Sequence, residues 1–481
     1  MADVFVLNPP VVQDFCRSAR WAARSRGRVQ RHPDWLLTAV AVLEEAGFTV
    51  DFLDGPVLNL ELQEVLSALK KSRPNLVVLH TTTPSIDSDL SYASLAKELL
   101  PDCQTVAVGP HVTAEPDDTL KRANGTLDVV IRGEYDYTLR ELAQLASSGW
   151  AIWKLSEIEG ISYLDQANKL VHTSSRPYLE VNSLPFPSWQ HIDPKWYRDA
   201  GKRFPFITLI SGRGCFGRCT FCRDVPLMEG KKLRMRDPTL VVDEIEYDFS
   251  LFPYLREVMF ETDTFTASPK HVEGVCKEIL ERNLKVTWSC NCRTDVDLKL
   301  LPLMKRAGCR MLMVGFEFGT QEALDAVRKG TTLEQSVRLA KEAERLGFTV
   351  HGCFMFGAPG ENMESALKTI EFAKSLPMDT VQFSGICAYP GTEIYQQASK
   401  NGTLVPNTWR EWVDENWEQV TVLNYPELSK DEIDKLIDKG LKEFYLRPKQ
   451  ILKMAKAIQT LDDLRRKIYG LRMFLDGGSA S

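Results

Sequence analysis

The first 150 residues alternate short apolar runs with longer amphipathic stretches. The apolar runs lie at positions 4–7, 49–53, 76–80, 105–108 and 129–131. Each run is followed by a turn-rich segment and then by a stretch with the periodicity of a helix. This alternation is typical of a doubly wound α/β domain with a parallel sheet, and we predict one over residues 1–150.

The same alternation of strand and helix resumes in the middle of the chain. Apolar runs there predict six further strands at positions 206–211, 257–261, 285–289, 311–316, 349–355 and 380–386. Six strand–helix units suit an open (β/α)6 barrel, which is a TIM barrel that lacks two units. We therefore predict an α/β fold with a partial barrel over residues 201–400.

Two segments lack this alternation. Residues 151–200 have weak periodicity and several prolines and tryptophans, so we predict a linker that packs between the domains. After residue 402 the predicted strands stop, and residues 401–481 are predicted to form a helical C-terminal domain. One helix should begin around Ser429, a favourable N-cap that is followed by Asp431 and Glu432 in the first turn.

The composition narrows the functional classes. The 481 residues are 44% apolar and 26% charged, which is ordinary for a globular protein. A net charge of −6 gives no broad field for attracting nucleic acid, so no nucleic-acid partner is expected. The N-terminus lacks the features of a signal peptide, and the eleven cysteines are spread along a large chain. We expect a cytoplasmic protein with reduced thiols and a metal site.

The C-terminal end reverses the overall acidity of the chain. Residues 441–481 contain nine Lys and Arg side chains against four Asp and Glu side chains. Solvated amphipathic helices explain this pattern, and so does docking at a membrane surface or to an anionic substrate. The sequence leaves both explanations open.

Three cysteines follow the first predicted barrel strand. Cys215, Cys219 and Cys222 lie in the stretch Ser-Gly-Arg-Gly-Cys-Phe-Gly-Arg-Cys-Thr-Phe-Cys, in a loop at the face where barrel active sites are built. Thiolates select zinc or iron–sulfur clusters, and a structural zinc site needs four closed ligands. Three cysteines on a [4Fe–4S] cluster leave one iron open to a substrate, so we predict that cluster.

At these residues the chain resembles the radical S-adenosylmethionine superfamily. That family has a Cys-x3-Cys-x2-Cys loop with an aromatic residue before the last cysteine, here Phe221. The resemblance covers about residues 200–400. It implies that S-adenosylmethionine chelates the open iron and that one electron from the cluster splits it into a 5′-deoxyadenosyl radical.

The resemblance also implies contacts to S-adenosylmethionine at the ends of later barrel strands. Glu261 or Asp263 is the candidate for the methionyl amine, although the usual Gly-Gly-Glu is absent. Arg293 would serve the methionyl carboxylate, and Glu317 would serve the ribose hydroxyls. The segments that contain Gly357 and Pro390 resemble the loops that contact adenine.

The N-terminal domain resembles the cobalamin-binding domain of cobalamin-dependent radical S-adenosylmethionine enzymes of the class B methylase type. The resemblance implies a Rossmann-like fold and cobalamin contacts from its strand-end loops. The Asp-x-His-x-x-Gly signature, which supplies a histidine to cobalt in other cobalamin domains, is absent from the sequence. The candidate cobalamin contacts are Asn8, Pro9, Pro10, Thr82, Thr83, Ser85, Gly109, Pro110, His111, Val112, Gly133 and Glu134.

Two features of this domain have two interpretations each. His80 and His111 either contact cobalt or are hydrogen-bonded loop residues. Trp21, Trp35 and the Arg-rich stretch 17–31 either cap the corrin or the substrate, or form an exposed basic loop.

Together the resemblances imply an enzyme that methylates an unactivated carbon by way of a 5′-deoxyadenosyl radical and methylcobalamin. The alternative is a cyclisation, rearrangement or oxidation without methyl transfer, and a remote alternative is a non-catalytic metal-binding interaction protein. The expected partners are a small or lipid-like substrate and an external electron donor of the flavodoxin or ferredoxin type. The basic C-terminal end adds a membrane surface to these candidate partners, through peripheral contact.

Overall fold

The computed structural model describes residues 2–17, 21–456, 458, 460, 463–465, 467–468 and 470. Its first sheet has seven strands in the order β2-β1-β3-β4-β5-β6-β7, and the first five of them in the chain are parallel. This confirms the predicted doubly wound α/β fold. The strands are β1 (Val4–Asn8), β2 (Val50–Asp54), β3 (Leu76–His80), β4 (Gln104–Val108), β5 (Val129–Ile131), β6 (Ile161–Leu164) and β7 (Leu170–His172).

The central strands of this sheet are apolar on both faces because helices cover both faces. Successive side chains of β1 point to opposite sides, so Val4 and Val6 pack in one apolar cluster while Phe5 and Leu7 pack in another. The first cluster includes helix Asp34–Glu45, and the second includes helices on the other face. The continuous apolar pattern of these strands follows from this double burial.

Strands β6 and β7 lie in the segment that the sequence analysis interpreted as a linker. They pair antiparallel with each other, and β6 pairs antiparallel with β5 at the edge of the sheet. Both strands are short, and β7 is only partly buried. A short edge strand carries little apolar periodicity, which explains why the pattern did not predict these two.

The second sheet consists of six parallel strands in chain order, which confirms the predicted (β/α)6 partial barrel. The third of these strands begins three residues later than the predicted 285–289. It is buried but contains Ser289 and Asn291, so its apolar pattern is interrupted. The strands are β8 (Phe206–Leu209), β9 (Glu257–Phe260), β10 (Trp288–Arg293), β11 (Cys309–Glu317), β12 (Thr349–Phe356) and β13 (Thr380–Gly385).

Helices flank both sheets and form the C-terminal region. In the N-terminal part they are Asp34–Glu45, Gly55–Leu58, Leu62–Ser72, Ile86–Leu99, Pro110–Ala114, Pro116–Ala123 and Asp136–Ser147. Around the barrel they are Pro238–Leu251, Pro269–Glu281, Leu301–Arg306, Gln321–Ala326, Leu333–Arg345, Met363–Ser375 and Glu393–Asn401. The C-terminal helices are Lys430–Tyr445 and Pro448–Lys456. Among the described residues, no helix is both long and apolar enough to cross a lipid bilayer.

The C-terminal region is helical from Lys430, where Ser429 caps the helix as predicted by accepting from the N–H of Glu432. Between residues 403 and 428 the expectation of helix is wrong, because this stretch holds only the short turn Trp409–Trp412 and isolated bridges. Of its aromatic side chains, Trp412 is buried, and Trp409, Trp417 and Tyr425 are partly buried. Residues 457, 459, 461, 462, 466, 469 and 471–481 of the predicted helical region lie outside the described residues.

Candidate active site

The cysteine loop is fixed at its base by a short ribbon. Gly212–Arg213 pairs antiparallel with Arg234–Met235, directly after β8. The N–H of Cys215 donates to the carbonyl of Gly230 over 3.2 Å. At Gly214 φ is +89°, and an added Cβ would overlap the facing backbone, so only glycine is accommodated there. The protein backbone itself therefore holds the start of the cysteine loop.

Two cysteine sulfurs and a guanidinium lie around Gly217. The N–H of Gly217 donates to Cys215 Sγ over 3.4 Å. A Cβ on Gly217 would lie 3.3 Å from Cys215 Sγ, 3.8 Å from Cys219 Sγ and 3.5 Å from an Arg293 nitrogen. Thr264 Oγ1 contacts Cys215 Sγ at 3.5 Å. The space above Gly217 is therefore bordered by thiols and a cation.

This donor set suits a [4Fe–4S] cluster. In the part of the chain that the structure describes, no three His, Cys, Asp or Glu side chains are close enough to hold a single metal ion. A cubane cluster does not need such closeness, because each sulfur binds a different iron. Arg293 and Lys329 supply positive charge beside Cys219, which offsets the charge of deprotonated thiols.

Arg293, Lys329 and Glu317 form a connected group beside the cysteines. The guanidinium of Arg293 donates to both oxygens of Asp295, over 2.9 and 2.8 Å, and to the carbonyl of Lys329 over 3.2 Å. Lys329 Nζ lies 2.5 Å from Glu317 Oε1. Burial alone lowers the pKa of Lys329, but the charges of Glu317 and Cys219 raise it above its usual value. Lys329 is therefore a cation at this site.

We expect Lys329→Met to destabilise the protein by about 2–3 kcal/mol, because it leaves the Glu317 carboxylate buried without its cation. Thermal unfolding of cluster-free protein measures this. The double variant with Glu317→Gln should recover most of the loss, and Lys277→Met, which breaks an exposed pair with Glu273, should change little. An unfolding midpoint for Lys329→Met equal to that of the parent protein would contradict the expectation.

Three carboxyl groups lie near the end of β9. Glu261 Oε2 is 3.4 Å from Arg31 Nε, and Arg31 also pairs with Asp199 over 2.8 Å. Asp263 lies against Glu229 instead. Burial, with the adjacent charge of Asp263, raises the pKa of Glu229 well above its usual value. The structure thus gives the two candidates Glu261 and Asp263 different partners.

An open cavity lies between the two sheets, and its volume is about 780 Å³ when the solvent space at its opening is included. The loops at the carboxyl ends of the strands of each sheet form its walls, which is where open α/β sheets and barrels bind ligands. The N-terminal domain contributes His80, Gly109 and Pro110, and the barrel contributes Ile210, Glu261 and Asp263. The cysteine loop follows directly from Ile210. The candidate residues His80, Gly109, Pro110, Glu261 and Asp263 therefore line one cavity.

Asp34 also lines this cavity and accepts a 2.5 Å hydrogen bond from Thr208 Oγ1. Burial, with the nearby Glu261, raises the pKa of Asp34 to about 8, so the carboxyl is protonated in the folded protein at neutral pH. In the unfolded chain it ionises near pH 4. Stability contributed by the protonated form is therefore present below about pH 4 and lost as the pH rises through 8.

Accordingly, we expect Asp34→Asn to gain stability relative to the parent protein between pH 5 and pH 8, with a slope of up to about 1.4 kcal/mol per pH unit. Thermal unfolding of both cofactor-free proteins across this range measures the difference. Asp51→Asn, at an exposed position, is the control and should follow the parent protein. Parallel curves for Asp34→Asn and the parent would show that Asp34 is ionised in the folded state.

The two histidines of the N-terminal domain are buried in the strand-end loops. His80 Nδ1 lies 3.4 Å from the oxygen of the Asn8 amide, whose nitrogen donates to Asp54 over 2.7 Å. His111 Nδ1 lies 3.2 Å from Thr83 Oγ1. Burial lowers the pKa of both histidines to about 3, so both are neutral. Of the two, only His80 lines the cavity.

Thr82, Ser85 and Pro9 surround a buried arginine. Arg17 pairs with Asp89 over 2.6 Å, and both side chains are fully buried. Its guanidinium also donates to Ser85 Oγ over 2.7 Å and to the carbonyl of Pro9 over 2.8 Å, and Ser85 Oγ lies 2.6 Å from Thr82 Oγ1. The candidate loop residues are thus organised around Arg17, which lines the cavity.

The Arg-rich stretch is not an exposed basic loop at its two ends. Arg17 is fully buried, and the Arg31 side chain is 3% exposed. Trp35 also lines the cavity, while Trp21 is partly buried. Residues 18–20 lie outside the described residues. The ends of this stretch belong to the cavity wall and to the barrel contact.

Other candidate residues support their loops. Val112 is fully buried in the apolar core, and Pro10 packs on Gly55, where an added Cβ would lie 2.5 Å from the proline ring. The N–H of Gly133 donates to Thr113 Oγ1 over 3.0 Å. Glu134 is held by arginines of the barrel, which places it at the contact between the domains.

The remaining barrel candidates lie in well-packed loops. Phe221 packs at the edge of an apolar cluster that contains Tyr389. Gly357 has a φ of +94°, and its N–H donates to Glu361 over 2.6 Å. Pro390 is buried and follows Tyr389. Gly357 and Pro390 follow the strands Thr349–Phe356 and Thr380–Gly385, and their contacts with adenine stay predictions.

Sequence reasoning did not single out Lys329, Glu229 or Asp34. Lys329 lies in an Arg-Lys-Gly turn, and the sequence has no motif that marks this turn as part of a site. Glu229 lies in a one-turn segment, Val225–Glu229, after the cysteine loop. Asp34 is the first residue of an apolar helix, where an acidic side chain is ordinary in the first turn. Their roles depend on contacts between distant segments.

The comparisons with known proteins agree with this geometry. The family model described as "Radical SAM superfamily" matches residues 209–373, and the model described as "B12 binding domain" matches residues 27–143. An uncharacterized methyltransferase of Pyrococcus horikoshii is 30% identical over 409 residues, which cover 84% of this chain and 86% of that protein. The anaerobic magnesium-protoporphyrin IX monomethyl ester cyclase of Rubrivivax gelatinosus is 29% identical, over 76% of this chain and 66% of that longer protein.

The fold also has a solved counterpart. The radical S-adenosylmethionine methyltransferase TsrM from Kitasatospora setae, with cobalamin and a [4Fe–4S] cluster bound, superposes with a TM-score of 0.73. The two sequences are 16% identical, and the match covers 99% of this chain and all of that one. From the extent of the similarity to the Pyrococcus protein and the two matched domains, this chain belongs to the cobalamin-dependent, B12-binding family of radical S-adenosylmethionine enzymes.

Proposed function

We propose that this protein is a C-methyltransferase that acts on a small polar substrate in the cavity between its two sheets. The observation that carries the proposal is the shared cavity itself. The strand-end loops of the N-terminal sheet form one wall, and the barrel wall continues into the cysteine loop. A substrate in this cavity would touch both cofactor-binding surfaces at once.

The proposed cofactor ligands follow from the site geometry. Cys215, Cys219 and Cys222 would hold the [4Fe–4S] cluster, and Arg293 with Lys329 would balance its charge. When bound, the cluster and S-adenosylmethionine supply a 5′-deoxyadenosyl radical, and cobalamin supplies a methyl group. The protein's own part is to orient these groups around the cavity and to exclude water from it.

The other proposed cofactor contacts belong either to the barrel or to the N-terminal domain. Asp263 is proposed for the methionyl amine, since the Glu261 carboxylate already lies beside Arg31. Glu317 would accept from the ribose hydroxyls, held by its contact with Lys329. The loops that contain Asn8, Thr82, Gly109 and Gly133 would contact cobalamin, as the resemblance implies. The proposed division of the chain is 1–150, 151–200, 201–400 and 401–481.

The cavity favours a polar substrate over a lipid-like one. Nearly half of its lining residues carry titratable side chains, and burying such groups against an aliphatic chain without new hydrogen bonds is costly. Two aromatic side chains, Trp35 and Tyr135, add flat apolar surface. The titratable lining residues are Arg17, Asp34, His80, Arg223, Asp224, Glu229, Glu261 and Asp263.

The state of the cysteines supports a proposal for the cellular compartment of the protein. All eleven cysteines are free, including six that are fully or almost fully buried outside the cysteine loop. Free thiols in this number are typical of a reducing compartment. We therefore place the protein in the cytoplasm, where an external donor of the flavodoxin or ferredoxin type would supply electrons.

The test uses the full chain, reconstituted with iron, sulfide and hydroxocobalamin under anaerobic conditions. Reduced protein is mixed with S-adenosylmethionine whose methyl group carries deuterium. We expect S-adenosylhomocysteine together with deuterated methylcobalamin, and 5′-deoxyadenosine as a separate product. Formation of 5′-deoxyadenosine without either methyl-transfer product would reject methylation and favour the cyclisation class. Zinc without iron in the purified protein would reject radical chemistry altogether.

A further inference from the structure

The outer side of the cysteine loop carries exposed aromatic and basic side chains. Phe216 is 49% exposed, although it lies next to the buried Cys215. Tyr178 is 50% exposed, and its ring lies on Gly230, 2.4 Å from where a Cβ would be. Three exposed cations complete what we call the basic-aromatic surface, which consists of Tyr178, Phe216, Arg218, Lys231 and Lys232.

This surface is connected to the proposed cluster ligands through the backbone. Gly230 accepts the hydrogen bond from Cys215, and Lys231 follows Gly230 in the chain. The carbonyl of Lys232 lies 2.2 Å from the position of a Cβ on Gly214, which precedes Cys215. Arg218 directly precedes Cys219. Electrons that arrive at this surface would therefore reach the cluster without crossing the substrate cavity.

The positive charge of this surface is not neutralised by ion pairs among the residues that the structure describes. Across the described residues, the ion pairs include none of Arg218, Lys231 and Lys232. Of the acids nearby in the sequence, Asp224 pairs with Arg223 over 2.7 Å and Glu229 is buried against Asp263, while Asp237, five residues after Lys232, is exposed. A local basic surface on a chain of net charge −6 attracts an acidic partner to one place.

We infer that the basic-aromatic surface is the docking site for a small acidic one-electron carrier protein. The inference rests on the proposed function, because an enzyme with this cluster must be reduced from outside. In the transfer the carrier loses one electron and the cluster gains it, and no atom moves. Opposite charges accelerate the encounter, while Phe216 and Tyr178 offer apolar contact of the kind found at the centre of small interfaces.

The test compares two double charge reversals in the full chain. Lys231→Glu with Lys232→Glu reverses the surface, and Lys70→Glu with Lys71→Glu reverses an exposed lysine pair at the end of helix Leu62–Ser72. A flavodoxin is the probe. Two quantities are measured, the Kd for oxidised flavodoxin and the rate at which flavodoxin hydroquinone bleaches the cluster. Reduced methyl viologen, a small cation, serves as the second reductant.

At low salt we expect the first reversal to weaken flavodoxin binding and slow reduction by about tenfold, with a smaller effect at high ionic strength. The control reversal should stay within about twofold of the parent, because distant surface charges are screened. Reduction by methyl viologen should not slow in either variant. These three results together support the docking site.

Unchanged binding and reduction in the first reversal would overturn the inference, and so would equal losses in both reversals. A loss of reduction by methyl viologen would show that the lysines serve the cluster itself. Flavodoxin binding is also measured with cluster-free protein. If the parent chain holds no iron, the proposed function fails, while the binding comparison still decides whether this surface attracts the carrier.

Discussion

Replacement of Cys215, Cys219 and Cys222 together by alanine is expected to abolish iron binding and the cleavage of S-adenosylmethionine. Each thiolate would hold one iron of the cluster, so the triple variant would retain no anchoring ligand. Iron content after anaerobic reconstitution should fall by more than about 90%, since the remaining backbone groups are poor iron ligands. Formation of 5′-deoxyadenosine should fall to the rate without enzyme.

The variant should remain folded, because backbone pairing holds the base of the loop and the thiols add only weak contacts to it. The ribbon Gly212–Arg213 with Arg234–Met235 and the Cys215–Gly230 backbone hydrogen bond are unaffected by alanine. The unfolding midpoint of the cluster-free variant should therefore match that of the cluster-free parent. Cys103→Ala, which removes a buried thiol of the N-terminal domain, is the matched control and should keep its iron. Retention of iron by the triple variant would refute the assignment.

The cysteine loop and most strands were predictable because their signals are local. A buried parallel strand needs an apolar run, and a cluster loop needs its cysteines a few residues apart. Both requirements are met within a dozen residues of sequence. The same is true of Ser429, whose capping hydrogen bond is to a residue three positions away. Such features do not depend on how the rest of the chain packs.

The features that the sequence did not reveal depend on contacts between distant segments. Arg17 and Arg26 both belong to an Arg-rich stretch, yet Arg17 is fully buried against Asp89 and Arg26 is about half exposed. Nothing in the local pattern separates the two. Lys329 likewise becomes a site residue only because Glu317, on another element, lies beside it. Such pairs between distant residues cannot be predicted from the apolar periodicity of the sequence.

The contact between the domains is the most consequential of these unpredicted features. Arg213, two residues before Cys215, donates to both oxygens of Asp136 over 2.8 and 3.1 Å and to Glu134 over 3.2 Å. Its guanidinium lies 3.8 Å from the centre of the Trp35 ring. Burial alone would lower the pKa of Arg213, but the two carboxylates raise it above its usual value. One buried cation thus ties the cysteine loop to the N-terminal domain.

Arg213→Met is expected to destabilise the protein by about 3–5 kcal/mol, because it leaves the buried Asp136 carboxylate without a cation and removes one of the two arginines that pair with Glu134. Arg213→Lys should recover only part of this, since an ammonium cannot donate to both Asp136 oxygens in a planar fork. Differential scanning calorimetry of cofactor-free protein measures the change. Arg345→Met, at an exposed helical pair with Glu342, is the control and should leave the transition unchanged.

The double variant Arg213→Met with Asp136→Asn separates charge from packing. If the loss arises from an uncompensated buried charge, removal of the Asp136 charge restores most of the stability, while Arg234 still holds Glu134 over 2.8 Å. If the loss arises from the stacking of Arg213 on Trp35, the double variant stays as unstable as the single one. Cobalamin retention should follow stability in each variant, because Arg213 packs the start of the cysteine loop against Trp35, which lines the cavity.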